Sequence, residues 1–251
     1  MKKVLFASFC IVIMLAFSGC RHRVTERPAI IIPKAVKDID GNVYDGVKIG
    51  DQVWMASNLK TTHYADGTEI PSGDPDLHSS TLPYRYVPGG SSSYVRRSGY
   101  LYNWPAVMHG SPHTNESPSG VQGICPDGWH VPSNAEWKTM TRYVENNDDY
   151  MEFSGSVAKA LAAGAGWDTC RTYLTPGHRI AENDATGFAA LPAGNYVFGN
   201  YNDLGYYAYF WTTMRSSDNF GAGRTIGYNT TKADAAECSL FYGLSVRCVK
   251  D

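Results

Sequence analysis

Cys125-Pro126-Asp127-Gly128-Trp129-His130-Val131-Pro132-Ser133-Asn134-Ala135-Glu136-Trp137 is the densest run of structural signals in the chain. It supplies one cysteine of a candidate disulfide, a Pro-Asp-Gly turn, a tryptophan of the kind that packs inward, and an explicit helix start. Ser133 is suited to cap a helix with its hydroxyl, and Glu136, three residues on, to reach back to the backbone N–H of Ser133 in a reciprocal capping box. The pattern predicts a helix over about 134–147. The stretch holds no evident catalytic group, so it reads as an anchor of the fold and not as a site.

Downstream, Val157, Ala158, Leu161 and Ala162 share a helical face, which predicts a second helix over 155–163 that stops at Gly164-Ala165-Gly166. Beyond Thr186 the chain becomes glycine-punctuated short strands: Phe188 to Gly194, Tyr206 to Thr213, and Leu240 to Val249. Upstream, Gly99 to Val107 reads as a buried strand with aromatic anchors. Further upstream, the Gly41-Asn42 and Asp45-Gly46 pairs lie among alternating apolar residues and signal hairpins, because Gly and Asn accept the positive φ of tight turns. Asp38, Asp40, Asn42 and Asp45 lack the closing Glu of a calcium loop and read as a run of turns. Thr68 to Gly99 is irregular and rich in Pro, Gly and Ser, the kind of long loop that is either functional or disordered. His109 and His113 are separated by Gly110 and Pro112, so no helix brings them to one metal. The expected class is α+β, with short twisted antiparallel strands, two helices and long loops.

The N-terminus has Lys2 and Lys3, an apolar run from Val4 to Phe17, and Ser18-Gly19 before Cys20. That is an export signal, too short for a comfortable membrane span. Ala16-Phe17-Ser18-Gly19-Cys20 resembles a bacterial lipobox, which makes residues 1–19 a lipoprotein signal peptide and Cys20 the lipidation site; an ordinary secretory signal is the alternative. Residues 20–37 read as a lipidated tether, with Ile30-Ile31-Ile32 as an alternative edge strand, and 38–251 as the domain. Of 22 basic and 24 acidic residues, the signal takes two lysines and no acid, so the remainder is mildly acidic and has no nucleic-acid footprint. Aromatics at 13% and charged residues at 18% leave Ser, Thr, Asn, Gly and Tyr to cover the surface, a composition common outside the cell. Beyond Cys10 and Cys20 there remain Cys125, Cys170, Cys238 and Cys248, which allow three pairings. An exported location permits disulfides, and the absence of Cys-x-x-Cys leaves zinc and redox exchange without support.

Several blocks in order resemble the Fibrobacter succinogenes major paralogous domain family of exported proteins and lipoproteins of Bacteroidetes and Fibrobacter. They are Asp40 to Tyr44 with Ile49 to Lys60, Tyr100-Leu101-Tyr102-Asn103-Trp104, Cys125 to Trp137, Thr186 to Gly194, and Ser245-Val246-Arg247-Cys248-Val249-Lys250-Asp251. The resemblance spans about 38–251 and carries no catalytic residues with it. Its plan is in turn similar to that of C-type-lectin-like domains, where a cysteine near the first helix pairs with one in the last strand. Carried over, this implies Cys125 with Cys248 and leaves Cys170 with Cys238. The carbohydrate–calcium motif of true C-type lectins is not recognisable; Tyr201-Asn202-Asp203 is a faint echo.

No Gly-x-Ser-x-Gly elbow, His-Glu-x-x-His, phosphate loop or dinucleotide fingerprint is present, and four cysteines that can all be paired argue against a free thiol. The chain is therefore expected to be non-enzymatic, with no cofactor or metal; a formylglycine-generating-like enzyme is the remote alternative. The favoured expectation is an outer-membrane or cell-surface lipoprotein, held to the membrane by a lipid on Cys20, that binds a glycan or other extracellular ligand. Its competitor is a structural or protein-interaction module, such as an adhesin or pilus-associated subunit. The candidate ligand-binding residues are Tyr201, Asp203, Tyr207, Tyr209 and Trp211, with Tyr207, Tyr209 and Trp211 on one side of a strand. The other tryptophans, Trp54, Trp104, Trp129, Trp137 and Trp167, are expected in the core, and the 71–97 loop is the second region in which to seek function.

Overall fold

Glycines at positive φ, Gly41 (85°) and Gly50 (62°), turn the chain between its first three strands, β1 (Ile30–Lys37), β2 (Val43–Ile49) and β3 (Gln52–Met55). The computed structural model describes residues 28–73 and 79–251. The elements that follow are β4 (Arg85–Tyr86), α1 (Val95–Ser98), β5 (Leu101–Tyr102), α2 (Trp104–Met108), β6 (Trp129–His130) and α3 (Asn134–Glu145). Next come α4 (Asp148–Ser154), α5 (Val157–Leu161), β7 (Asn195–Val197) and β8 (Asn200–Asn202). The chain closes with β9 (Tyr207–Arg215), β10 (Phe220–Gly227), β11 (Ala233–Ser239) and β12 (Val249–Lys250). The fold is α+β: an antiparallel sheet ordered β1-β2-β3-β12-β6, a three-stranded sheet β11-β10-β9, and two short hairpins, β4-β5 and β7-β8.

The first hairpin is fixed by side chains as well as glycine. Asp38 accepts bonds from the backbone N–H and side-chain amide of Asn42, both at 2.8 Å, and from the Tyr44 hydroxyl at 2.6 Å. Asp40 is engaged by Thr61, Thr62 and His63, so these carboxylates serve turns. Asp45-Gly46 lies inside β2, where Gly46 sits opposite Met55, and forms no turn. The ordered fold also begins earlier than position 38. Ile30 to Lys37, assigned from sequence to the tether, pairs with β2 as an edge strand, and Ile30, Ile31 and Ile32 stay 57%, 46% and 36% exposed. The signal, Cys20 and the rest of the tether lie outside the described residues.

The capping box forms as the sequence predicts. Ser133 Oγ accepts from the Glu136 N–H at 3.1 Å and Glu136 Oε2 accepts from the Ser133 N–H at 2.9 Å. Trp137, Met140 and Val144 then face inward, and Trp137 packs against Trp54, Phe188 and Phe210 at ring separations of 5.0, 5.5 and 5.3 Å. The five tryptophans expected in the core are all buried.

Other expectations need correction. Gly99 to Val107 is a strand only at Leu101–Tyr102; Asn103 then caps α2 by accepting from the Ala106 N–H, and Pro105 sits in the first turn, where its missing N–H costs nothing. Besides the two expected helices the fold has α4, capped by Asn147 and ended by Gly155 at φ 77°, and the short α1 and α2. The second expected helix is α5, which ends at Leu161, short of the glycine run. Phe188 to Gly194 and Leu240 to Ser245 contribute isolated bridges and turns, because their backbones bond to scattered partners such as Leu161, Asn219 and Tyr102. In their place β10 and β11 supply the regular pairing, with Trp211 and Trp104 rings seated over Gly221.

Cys125 and Cys248 form a disulfide, with Cα atoms 5.9 Å apart, that staples β12 to the segment leading into α3. Cys170 and Cys238 do not pair. Cys238 lies opposite Gly221 at one end of β10, whereas Cys170 Sγ sits 3.5 Å from the carbonyl of Tyr228, just past the other end. A strand of that length spans about 20 Å, and a disulfide tolerates a Cα separation of no more than about 7 Å. Burial pushes the Cys238 thiol up to about 12.

Arg247 is the other tie between distant parts of the chain. Fully buried beneath Phe188 at 4.5 Å, it donates to Asn58 Oδ1 at 2.7 Å, to the Met55 carbonyl at 2.8 Å, to the Ala189 carbonyl at 3.0 Å, and to the Phe188 carbonyl. Burial draws its guanidinium down to about 9.

Candidate functional site

Of the five residues singled out in the aromatic run, three meet on one surface. A turn with Asp203 at φ 60° and Gly205 at φ 87° leads into β9, and the Asp203 carbonyl accepts the N–H groups of Tyr206 and Tyr207. The Asp203 carboxylate accepts from the Tyr209 hydroxyl at 2.8 Å and from Asn195 at 3.3 Å, and the Tyr207 and Tyr209 rings stack at 5.7 Å. Burial and then this bond hold the Tyr209 hydroxyl well above the usual phenol range. Tyr201 turns away and packs on Tyr196 at 5.1 Å, itself stacked on Tyr86 at 3.9 Å. Trp211 is fully buried, and its indole N–H donates to the Tyr102 carbonyl at 2.7 Å, so no ligand can reach it. Alternation holds through Trp211, but it does not expose that side chain because β9 there runs between two packed layers. Phe210 faces the Trp54–Trp137 side while Trp211 faces Trp104 and Cys238.

A groove of about 680 Å³ lies beyond the far end of the same strand. Trp104, Met108, Leu240 and Tyr64 form its buried floor. Its rim carries Ser80 and Thr81 from the long loop, His109 and Ser111 after α2, and Arg215, Asp218 and Asn219 from the β9–β10 turn. Asn103 anchors this rim from behind: it accepts from the Tyr84 N–H at 2.9 Å and donates to the carbonyls of Ser79 and Leu82 at 3.0 and 2.8 Å, tying the loop to the start of α2. The helix ends with His109 in the left-handed region at φ 47°, which lays its ring flat on Tyr64 at 3.6 Å and 7°. Trp104 is held by an indole bond to the Thr212 carbonyl at 3.3 Å, and the Arg215 guanidinium lies 5.5 Å over its ring. The Tyr64 hydroxyl is buried with no hydrogen-bond partner among the described residues, and burial, then Asp66, raises its pKa.

The sequence reading reached this groove only through its loop. Trp104 is expected in the core and is buried, and His109 is considered only against a metal shared with His113, so neither expectation brings Trp104 and His109 to one cleft. The Ser216-Ser217-Asp218-Asn219 run was the available signal, since such clusters mark turns and place Arg215 at a hairpin tip.

A third polar cluster is structural. His130 binds Asp251 through Nδ1 and Glu136 through Nε2, both at 2.7 Å, so neither ring nitrogen is left to move a proton. Burial opposes its charge, but the two carboxylates outweigh burial and raise its pKa above the ordinary value. No group of three His, Cys, Asp or Glu side chains among the described residues is arranged to hold a metal.

A family model described as the Fibrobacter succinogenes major domain matches residues 47–250. Neither the curated proteins nor the solved structures yield a match.

Proposed function

We propose that this chain, which belongs to the Fibrobacter succinogenes major domain family, is a non-enzymatic, lipid-anchored surface protein that binds a glycan in the groove floored by Trp104. Family membership brings no reaction with it, so the reading rests on the site. The observation that carries it is the combination of an apolar aromatic floor with a rim of Arg215, Asp218, Asn219, Ser80 and Thr81. A pyranose presents an apolar face to rings and hydroxyls to polar edges, and binding sites of this kind are concave and apolar with a few placed polar groups. The Tyr207–Tyr209–Asp203 surface on the same strand offers a second, flatter contact for a longer chain. The finer fold assignment, a C-type-lectin-like domain, is supported by the Cys125–Cys248 staple between the helix entry and the closing strand.

Two unpaired cysteines reopen the enzymatic alternative. Neither supplies a catalytic thiol: burial pushes Cys238 up to about 12, so it is not a nucleophile at neutral pH, and half-exposed Cys170 meets only the Thr175 hydroxyl and main-chain carbonyls, with no base among these partners to activate it. The structural-module alternative is favoured by the exposed Ile30-Ile31-Ile32 edge of β1, the kind of strand on which another chain pairs.

A glycan array with soluble chain starting at residue 28 tests the proposal. Binding is expected to weaken about tenfold, or ~1.4 kcal/mol, in His109→Ala and in Asn219→Ala. No hit across host and dietary polysaccharides, or hits that both variants retain in full, would sink the groove as a glycan site.

A further inference from the structure

We infer that the ligand of the groove is an acidic glycan whose carboxylate is taken by Arg215, an inference that rests on the glycan reading above. Arg215 is held on three sides. Its Nε donates to the Ser217 carbonyl at 3.2 Å, its Nη2 donates to the Asp218 carbonyl, and the plane of the group lies over Trp104. Both hydrogen bonds go to neutral main-chain oxygens, and among the described residues Arg215 makes no ion pair with any carboxylate. The guanidinium is therefore oriented but uncompensated, and it lines a groove whose floor is apolar. A fixed guanidinium fork matches a carboxylate in two parallel hydrogen bonds, and such charge-assisted bonds are about twice as strong as neutral ones. Ordering the arginine in advance removes most of the entropy that an exposed ion pair otherwise loses.

Among the described residues Asp218 is the one acid on the rim, and it bears on the inference directly. It offers Arg215 its main-chain oxygen, while its exposed side chain faces water, where the repulsion it exerts on an anion is screened. Removing that charge is expected to widen the preference for acidic over neutral ligands.

The test is an array, followed by titration calorimetry, of uronate- and sialate-bearing oligosaccharides, each beside its carboxyl methyl ester, against the soluble chain. The acid is expected to bind about ten- to a hundredfold more tightly than its ester, with the preference shrinking as salt rises. Arg215→Gln is expected to bring acid and ester to equal affinity, Arg215→Lys to keep a reduced preference, and Asp218→Asn to increase it. Equal binding of acid and ester by the wild-type chain overturns the acidic assignment alone. Absence of binding by either form overturns the glycan reading and this inference with it. An acid preference that survives in Arg215→Gln shows that another group takes the carboxylate and overturns the role given to Arg215.

Discussion

Replacing Arg247 tests whether the terminal segment is held by the network described above. In Arg247→Met the side chain keeps its bulk but removes the donors to Asn58 Oδ1 and to the carbonyls of Met55, Phe188 and Ala189. Each buried acceptor that loses its donor costs about 1–3 kcal/mol. Water entering the vacated polar site and relief from burying a charge offset part of that, which places the net loss at about 3–5 kcal/mol. A domain has only about 5–15 kcal/mol in total, so the variant stands near the edge of folding. Arg247→Lys restores a cation with three donors but not the planar fork, and a loss of about 2 kcal/mol is expected. The assay is urea unfolding of the soluble chain followed by tryptophan fluorescence, with the Cys125–Cys248 bond verified intact by non-reducing peptide mapping. If Arg247→Met lies within about 0.5 kcal/mol of wild type, the buried guanidinium contributes nothing net and the argument for it fails.

Four further outcomes are expected. Closing a loop across 123 positions stabilises by up to about 5 kcal/mol on the chain-entropy account, so Cys125→Ser and Cys248→Ser should each cost about 3–5 kcal/mol and the double variant little more. In the same preparations, thiol titration of the native chain from residue 28 should find half-exposed Cys170 reactive and Cys238 reactive only on unfolding; a Cys170–Cys238 peptide in the map would refute the strand geometry. The raised pKa of His130 means that its contribution is fully present below its ordinary value of about 6.5 and is lost as pH rises through the folded value. The difference in urea midpoint between wild type and His130→Gln should therefore shrink from mildly acidic to alkaline buffer, and a constant difference would remove the carboxylate clamp as its cause. A chain starting at residue 38 should be about 1–3 kcal/mol less stable than one starting at 28, because β2 loses its partner; equal midpoints would show that β1 adds nothing.

The elements legible in the sequence are those specified within a few residues. Gly41 and Gly50 dictate their turns by backbone conformation, and Ser133 and Glu136 dictate the start of α3, since both partners of the box lie inside one helical turn. The family resemblance is legible too, as an ordered series of such local signals, and the Cys125–Cys248 pair follows only from the lectin-like plan that resemblance implies, since the four cysteines alone allow three pairings. What the sequence left open depends on which distant segments meet. Trp211 and Tyr209 are identical in alternation, yet one is sealed beneath Tyr102 and the other reaches Asp203, because the packing on each face of β9 changes along its length. Cys170 and Cys238 look like a second pair until β10 separates them. The groove exists only because Asn103 draws the 79–84 loop to α2 while the β9–β10 turn lays Arg215 over Trp104, contacts between residues about twenty and more than a hundred positions apart. Local chemistry determined the turns and the cap; the choice of cysteine partners, the burial of each aromatic face and the site it leaves open were decided by tertiary packing, which alone brings distant segments together.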